Sequence, residues 1–249
     1  MTIHLDNISL TFQGEATPLF ENFNLSLSGW TCLLGQSGCG KTTLLRHIAG
    51  LTDPQHHTTG RVDYQSRDTT TPLGNEHIAY MGQQDLLFPW LSVLDNICLQ
   101  SVITGKKPNK AQRDQAHQLL IATGLDQHDT LRPDQLSGGL RQRVALARTL
   151  MLDKPIVLMD EPFSALDAVT RYKLQDLSAK LLKDKIVVLI THDPQEALRL
   201  GEHIYVMQNK PAQLKELSTP VSPIPRKLSA EFAAHQQAII DMLANEVPV

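Results

Sequence analysis

The sequence predicts an α/β protein whose parallel sheet is interrupted by an all-helical block. Three observations carry that prediction. A short apolar run, Trp30-Thr31-Cys32-Leu33-Leu34, passes through a glycine-rich turn into a helical pattern from Thr43 to Gly50. Between Ile156 and Met207, apolar strands alternate with helical stretches. From Ser92 to about Leu150 the periodicity is helical.

The elements follow in order. Ile3, Leu5, Ile8, Leu10 and Phe12 mark a first strand over Ile3 to Phe12. Gly14 to Pro18 reads as a turn, and Leu19 to Leu27 alternates again through Phe23, Leu25 and Leu27. The start therefore looks antiparallel, and it leads directly into the strand at Trp30. Residues 52–76 are polar, Thr-rich and broken by Pro54, Gly60, Pro72 and Gly74. They read as loop with a short strand near Arg61–Tyr64. His56 and His57 fall there without the spaced partners a metal site needs. His77–Met81 is the next strand, ending at Gly82-Gln83-Gln84. Ser92 is a helix N-cap with Asp95 at the third helical position. A second helix runs from Asn109 to Thr123 and stops at Gly124. A third opens after Ser137-Gly138-Gly139 and runs to Leu152, before the break at Lys154-Pro155. Strand Ile156–Met159, helix Asp167–Lys183, strand Ile186–Ile190, helix Pro194–Leu200 and strand His203–Met207 complete the winding. Ser218 to Pro225 is a Pro/Ser-rich linker. Leu228, Phe232, Ile239, Ile240 and Leu243 then line a final amphipathic helix.

Composition narrows the function classes. With 249 residues, 41% of them hydrophobic, the chain can bury a sizeable core. A net charge of −3 leaves no basic footprint for nucleic acid. No apolar run is long enough to span a membrane. The start, MTIHLDNISL, has no basic stretch followed by an apolar core, so no signal peptide is expected. Three cysteines, Cys32, Cys39 and Cys98, suit a reduced, cytosolic compartment.

The glycine-rich turn carries the chemistry. Gly35-Gln36-Ser37-Gly38-Cys39-Gly40-Lys41-Thr42 matches the phosphate-loop pattern at Gly35, Gly40, Lys41 and Thr42, and Thr43 follows. Glycines let the backbone approach phosphates closely and adopt dihedrals other residues resist. The loop's N–H groups then face inward, and the following helix adds the positive end of its dipole. Lys41 would reach the β- and γ-phosphates, and the Thr42 hydroxyl would coordinate Mg²⁺. Downstream, the apolar strand Ile156–Met159 ends in Asp160-Glu161. Beside a phosphate loop, Asp160 can hold Mg²⁺ and Glu161 can take the proton from an attacking water.

With these motifs in order, the sequence resembles the ATP-binding-cassette ATPases over nearly its whole length. Leu136-Ser137-Gly138-Gly139 looks like that family's signature, followed by Arg141-Gln142-Arg143. The resemblance implies a phosphate-loop NTPase (RecA-like) core with an antiparallel β subdomain and an inserted α-helical subdomain. It divides a single domain into a core of residues 1–84 and 156–215, a helical part of 85–155 and a C-terminal linker and helix of 216–249. It implies that Ser137, Gly138 and Gly139 meet the γ-phosphate of ATP held by a second copy. It makes Gln83 the glutamine-loop residue that reaches Mg²⁺ and the attacking water. His192 resembles the switch histidine, Phe12 the aromatic that stacks on adenine, and Ser164-Ala165-Leu166-Asp167 the loop that communicates across the dimer. One departure stands out: Leu140 occupies a position where the family usually has Gln.

The resemblance implies a bacterial importer's ATPase subunit, bound to the cytoplasmic face of the inner membrane through permease subunits. A periplasmic or lipoprotein substrate-binding protein would be an indirect partner. Its subgroup resembles importers of nitrate, sulfonate, taurine and a thiamine-pyrimidine precursor. An ABC ATPase driving export, lipoprotein release or cell-division signalling is the alternative. The apolar stretch Leu86, Leu87, Phe88 and Trp90 is expected to line a groove for the permease.

Overall fold

The computed structural model describes residues 1–65 and 74–244. It opens with β1 (Thr2–Phe12) and β2 (Phe20–Leu27), paired antiparallel, followed by β3 (Trp30–Gly35) and α1 (Lys41–Ile48). Next, β4 (His56–Gln65) returns antiparallel along the other edge of β1. The three strands form one sheet in the order β2-β1-β4. The expected loop with a short strand at Arg61–Tyr64 is thus corrected to a strand of ten residues. Most of β4 faces solvent, so it shows no apolar alternation, and its pairing to β1 supplies the order. Residues 66–73 of that expected loop lie outside the described residues.

After β5 (Ile78–Met81) comes the helical block: α2 (Val93–Ile97), α3 (Leu99–Ile103), α4 (Lys110–Ala122) and α5 (Gly138–Met151). Three of its helices begin with caps the sequence announces. Ser92 accepts from the Asp95 N–H, Asn109 and Gln112 form a reciprocal capping box, and Ser137 accepts from the Leu140 N–H. The expected first helix is two short ones, α2 and α3, divided at Cys98.

The chain then winds through β6 (Ile156–Asp160), α6 (Ala168–Leu181), β7 (Ile186–Ile190), α7 (Pro194–Leu200) and β8 (His203–Gln208). It ends with β9 (Gln213–Leu217) and α8 (Ala230–Ala244). A six-stranded sheet has the order β5-β6-β7-β3-β8-β9, with β9 alone antiparallel. The sequence reading passes over β9. It is a polar edge strand, mostly exposed, and its order comes from pairing to β8.

Alternating side chains of this sheet feed two cores. Trp30, Cys32, Leu34, Val157, Met159, Val187 and Leu189 pack with residues of the helical block and of α6 to α8. Leu33, Ile156, Leu158, Ile186, Val188 and Ile190 pack with α1 and with Ile3, Leu5, Ile8 and Leu10 of the small sheet. Every residue of β6 and β7 is buried. In the C-terminal segment Phe232 and Ile239 are buried, but Leu228 lies before α8 and is exposed, as is Ile240.

One buried carboxylate strains this arrangement. Glu196 of α7 is 5% exposed, and its Oε2 accepts from the Thr191 hydroxyl at 2.6 Å. Burial pushes its pKa from 4.5 up to about 7, the Thr191 bond opposes the rise, and the Asp193 charge adds to it. The folded state therefore keeps a proton that the unfolded chain releases. Stability from this group is full below about 4.5 and is lost as pH rises through about 7. Glu196→Gln should then gain stability over the wild type as pH rises, by up to about 3 kcal/mol at about 1.4 kcal/mol per unit. Urea melts of both proteins at about pH 5 and pH 8 measure the difference. A pH-independent difference would contradict the assignment.

Candidate active site

β3 delivers the chain to Gly35 and α1 receives it at Lys41, so the intervening residues must turn sharply. Gly35, Gly38 and Gly40 have φ of 146°, 83° and 106°, a region that favours glycine. Gly35 also lacks room for a side chain, since a Cβ would sit 2.3 Å from the Met207 carbonyl oxygen. The loop curls over the N-terminus of α1, where helix dipole and first-turn N–H groups favour an anion. The Lys41 ammonium folds back over the loop. It donates to the carbonyls of Gly35 at 2.8 Å and Gln36 at 2.7 Å, and lies 3.7 Å from Cys39 Sγ.

The carboxylates arrive from β6. Thr42 follows directly in α1, and its hydroxyl donates to Asp160 Oδ2 at 2.7 Å. Burial raises the Asp160 pKa and the Glu161 charge adds to the rise, while the Thr42 bond, Lys41 and Arg46 oppose it. A cation beside Thr42 and Asp160 would relieve that cost. Among the described residues no cluster of three or more His, Cys, Asp or Glu could hold a metal alone. A hydroxyl with one carboxylate suits Mg²⁺, which takes its remaining ligands from phosphate and water.

Glu161 sits one residue past β6 at φ 49°, and its N–H donates to the Ile190 carbonyl at 2.9 Å. Its Oε1 lies 3.2 Å from His192 Nδ1. His192 follows β7 and is exposed, with 66% of its side chain open to solvent. The two strand ends thus bring together residues that stand 31 positions apart in the sequence, Glu161 and His192.

Lys41, Thr42, Asp160 and Glu161 share a cleft of about 380 Å³, which His192 does not line. Phe12, Ser37, Gly38, Gly40, Lys41, Thr42, Thr43, Gln83, Asp160 and Glu161 line it, with Leu19 and Ile190. Gln83 faces it, whereas Gln84 does not line it. Gly35, Gln36 and Cys39 are not part of the lining. They serve the loop from behind, Gly35 and Gln36 by their carbonyls and Cys39 by filling space under Lys41. Phe12, at the end of β1, holds its ring edge-to-face with His56 at 4.6 Å. Ser137, Gly138 and Gly139 do not line the cleft, and Ser137 and Gly138 are exposed.

The sequence reading missed two supporting side chains. Leu19 closes one wall, with a Cβ on Gly40 falling 3.1 Å from its side chain. Gln142 is buried behind Glu161; the sequence places it in the Arg141-Gln142-Arg143 run after the signature but gives it no role. The apolar groove also changes. Leu86 and Trp90 are 59% and 65% exposed, and Phe88 packs edge-on to Trp90 at 5.2 Å. Leu87 instead points into the core.

Comparison with known proteins extends this picture. A family model described as ABC transporter matches residues 21–164. An uncharacterized ABC transporter ATP-binding protein of Haemophilus influenzae is 42% identical over 250 residues, covering 98% of this chain and 99% of its own. The taurine import ATP-binding protein TauB of Roseobacter denitrificans is 36% identical over 256 residues, covering 97% and 93%. An ATP-binding cassette solved as a dimer in a post-hydrolysis state, bound to ADP and Pi, superposes with a TM-score of 0.72. It is 32% identical and covers 87% of this chain and 99% of that one. By these matches the chain belongs to the ABC transporter family as its ATP-hydrolysing, ATP-binding cassette.

Proposed function

We propose that this cassette powers a bacterial importer, hydrolysing MgATP as a head-to-tail homodimer to drive a small solute through a membrane permease. The observation that carries the dimer is the division of the site. Lys41, Thr42, Gln83, Asp160 and Glu161 share one cleft, while Ser137 and Gly138 stand exposed outside it. A second copy, turned head to tail, would bring its Ser137–Gly139 helix end to the γ-phosphate of this copy's ATP. A similar cassette is dimeric with ADP and Pi bound. The division into core (1–84, 156–215), helical part (85–155) and C-terminal segment (216–249) belongs to the same reading.

The family resemblance and the site's geometry together support the following roles. Phe12 stacks on the adenine. The 35–43 loop and Lys41 grip the phosphates. Thr42, Asp160 and Gln83 would hold Mg²⁺, which would neutralise charge on the β- and γ-phosphates. Glu161 accepts the proton of the attacking water as its oxygen reaches the γ-phosphorus and ADP leaves. His192, 3.2 Å from Glu161 on one side, contacts the γ-phosphate on the other.

Import is supported by the TauB relative, which makes taurine or a related sulfonate the first solute to try. A thiamine-pyrimidine precursor and nitrate are the further members of this class. Among the described residues no helix is long and apolar enough to cross a membrane. Attachment to the cytoplasmic face would then come through the permease, docked on Leu86, Phe88 and Trp90. The substrate-binding protein would act across the membrane without touching this chain.

Glu161→Gln should keep ATP binding, trap an ATP-bound dimer and lower turnover about 10²- to 10⁴-fold, the range of a lost general base. Phosphate release and size-exclusion chromatography with ATP measure both, and full turnover in that variant would refute the base. Lys41→Ala should abolish nucleotide binding in a fluorescence titration. Trp90→Asp should keep the ATPase of the free cassette but lose the permease on co-purification and lose ATP-driven taurine uptake in proteoliposomes. Unchanged uptake by that variant would exclude the docking surface, and outward movement of solute would exclude import.

A further inference from the structure

The site leaves one buried polar side chain without a task. Gln142 lies on α5, about one turn beyond Ser137–Gly139, and is 8% exposed. A buried amide is costly unless both of its ends are bonded. Here Nε2 donates to the Glu161 carbonyl at 2.9 Å and to Ser164 Oγ at 3.2 Å. Oε1 accepts from the Ala165 N–H at 2.8 Å. These partners fix the amide's orientation. Exchanging its O and N would set donor against donor at Ala165 and acceptor against acceptor at Glu161.

The same turn meets α5 at a second point. A Cβ on Gly139 would lie 3.0 Å from the Ala165 carbonyl oxygen, so that glycine lets the helix end rest directly on the turn. Glu161 needs support there, because φ of 49° is uncommon for a residue with a side chain. Its carbonyl also accepts from the Ser164 hydroxyl at 3.1 Å. Carbonyl and Cβ are carried by one Cα, so fixing the first restricts where the carboxylate can point. That carboxylate in turn meets His192.

We infer that Gln142 is a positioning residue that links the Ser137–Gly139 helix end to the Glu161 carboxylate within one chain. The inference rests on the roles proposed above for Glu161 and Ser137–Gly139. In a head-to-tail dimer those two groups serve different nucleotides. A short, fully bonded side chain between them makes the base at one ATP sensitive to whether the helix end has engaged the other. Losing the link misplaces the base and uncouples the two sites. The phosphate loop, which sets ATP affinity, lies on the other side of Glu161 and keeps its geometry.

The test uses Gln142→Met, which keeps the shape and removes the bonds, and Gln142→Ala. Each is measured in the full chain beside Glu161→Gln, by ATPase rate against ATP concentration and by thermal melting. The expected result is a kcat lower by about 10- to 100-fold, the cost of a misplaced catalytic group. KM should stay within about threefold and the Hill coefficient should fall towards one. The melting temperature of at least Gln142→Met should stay near that of the wild type. A folded Gln142→Met with wild-type kcat and cooperativity, beside an inactive Glu161→Gln, overturns the inference and leaves the base in place. An active Glu161→Gln overturns the base itself. Loss of folding in both Gln142 variants, or a KM rise that accounts for the lost rate, makes Gln142 structural and also overturns the inference.

Discussion

Positive potential must be concentrated at one point without filling that point with side chains. This constraint shapes the chain from Gly35 to Thr42. Side-chain cations alone would crowd the phosphates, so backbone N–H groups and a helix dipole carry much of the field. That solution demands a strand, a turn of positive φ and a helix start within a few residues, and it leaves little freedom in what surrounds them. Gly35 is pressed against the Met207 carbonyl, and Gly40 against Leu19. The loop is therefore held by β8 and by Leu19 in the β1–β2 connection as much as by its own sequence.

The parallel sheet then brings other chemistry to the same edge. β3, β6 and β7 run in one direction and end near one another, so Gly35, Asp160 and Thr191 emerge close together. Ligands of open α/β sheets sit beyond these carboxyl ends. Burial on both faces makes β7 apolar throughout and β6 apolar up to its last residue, Asp160, with Glu161 following β6 and Thr191-His192 following β7. The abrupt change to polar residues is physical. Asp160, still within the sheet, loses its water and is compensated by the Thr42 hydroxyl, while Glu161, one residue beyond, can meet His192.

This is why the core and the cleft were legible in the sequence. Alternating or continuous apolar runs marked the buried strands, Ser92, Asn109 and Ser137 marked helix starts, and motif spacing marked the cleft residues. Edge strands were not legible in the same way. β4 and β9 cover little and are organised by backbone pairing, which leaves almost no trace in side-chain pattern. Leu87 illustrates a third limit. It stands among exposed apolar neighbours, and only the packed structure separates the inward side chain from the outward ones. Buried polar residues were also silent: Gln142 takes its meaning from partners 19 to 23 positions away, and Glu196, bonded to nearby Thr191, sits in a helix pattern that does not announce its burial.

Those silent residues sit where α5 and α7 pack against the loops that follow β6 and β7. An apolar contact between the helical block and the strand ends would be non-directional and would tolerate sliding. A buried amide with every bond satisfied tolerates much less, because each displacement leaves a donor or acceptor bare at a cost of about 1–3 kcal/mol. Gln142 gives α5 such a contact with the turn after β6, and the Thr191–Glu196 bond gives α7 a directional, though less complete, contact with the segment that carries His192. Directional bonds at these two contacts let the apolar cores supply stability while register at the catalytic edge is set by a few polar atoms. If the site is completed by a second copy, as proposed, that distinction lets the helix end meet its partner while the base stays in place.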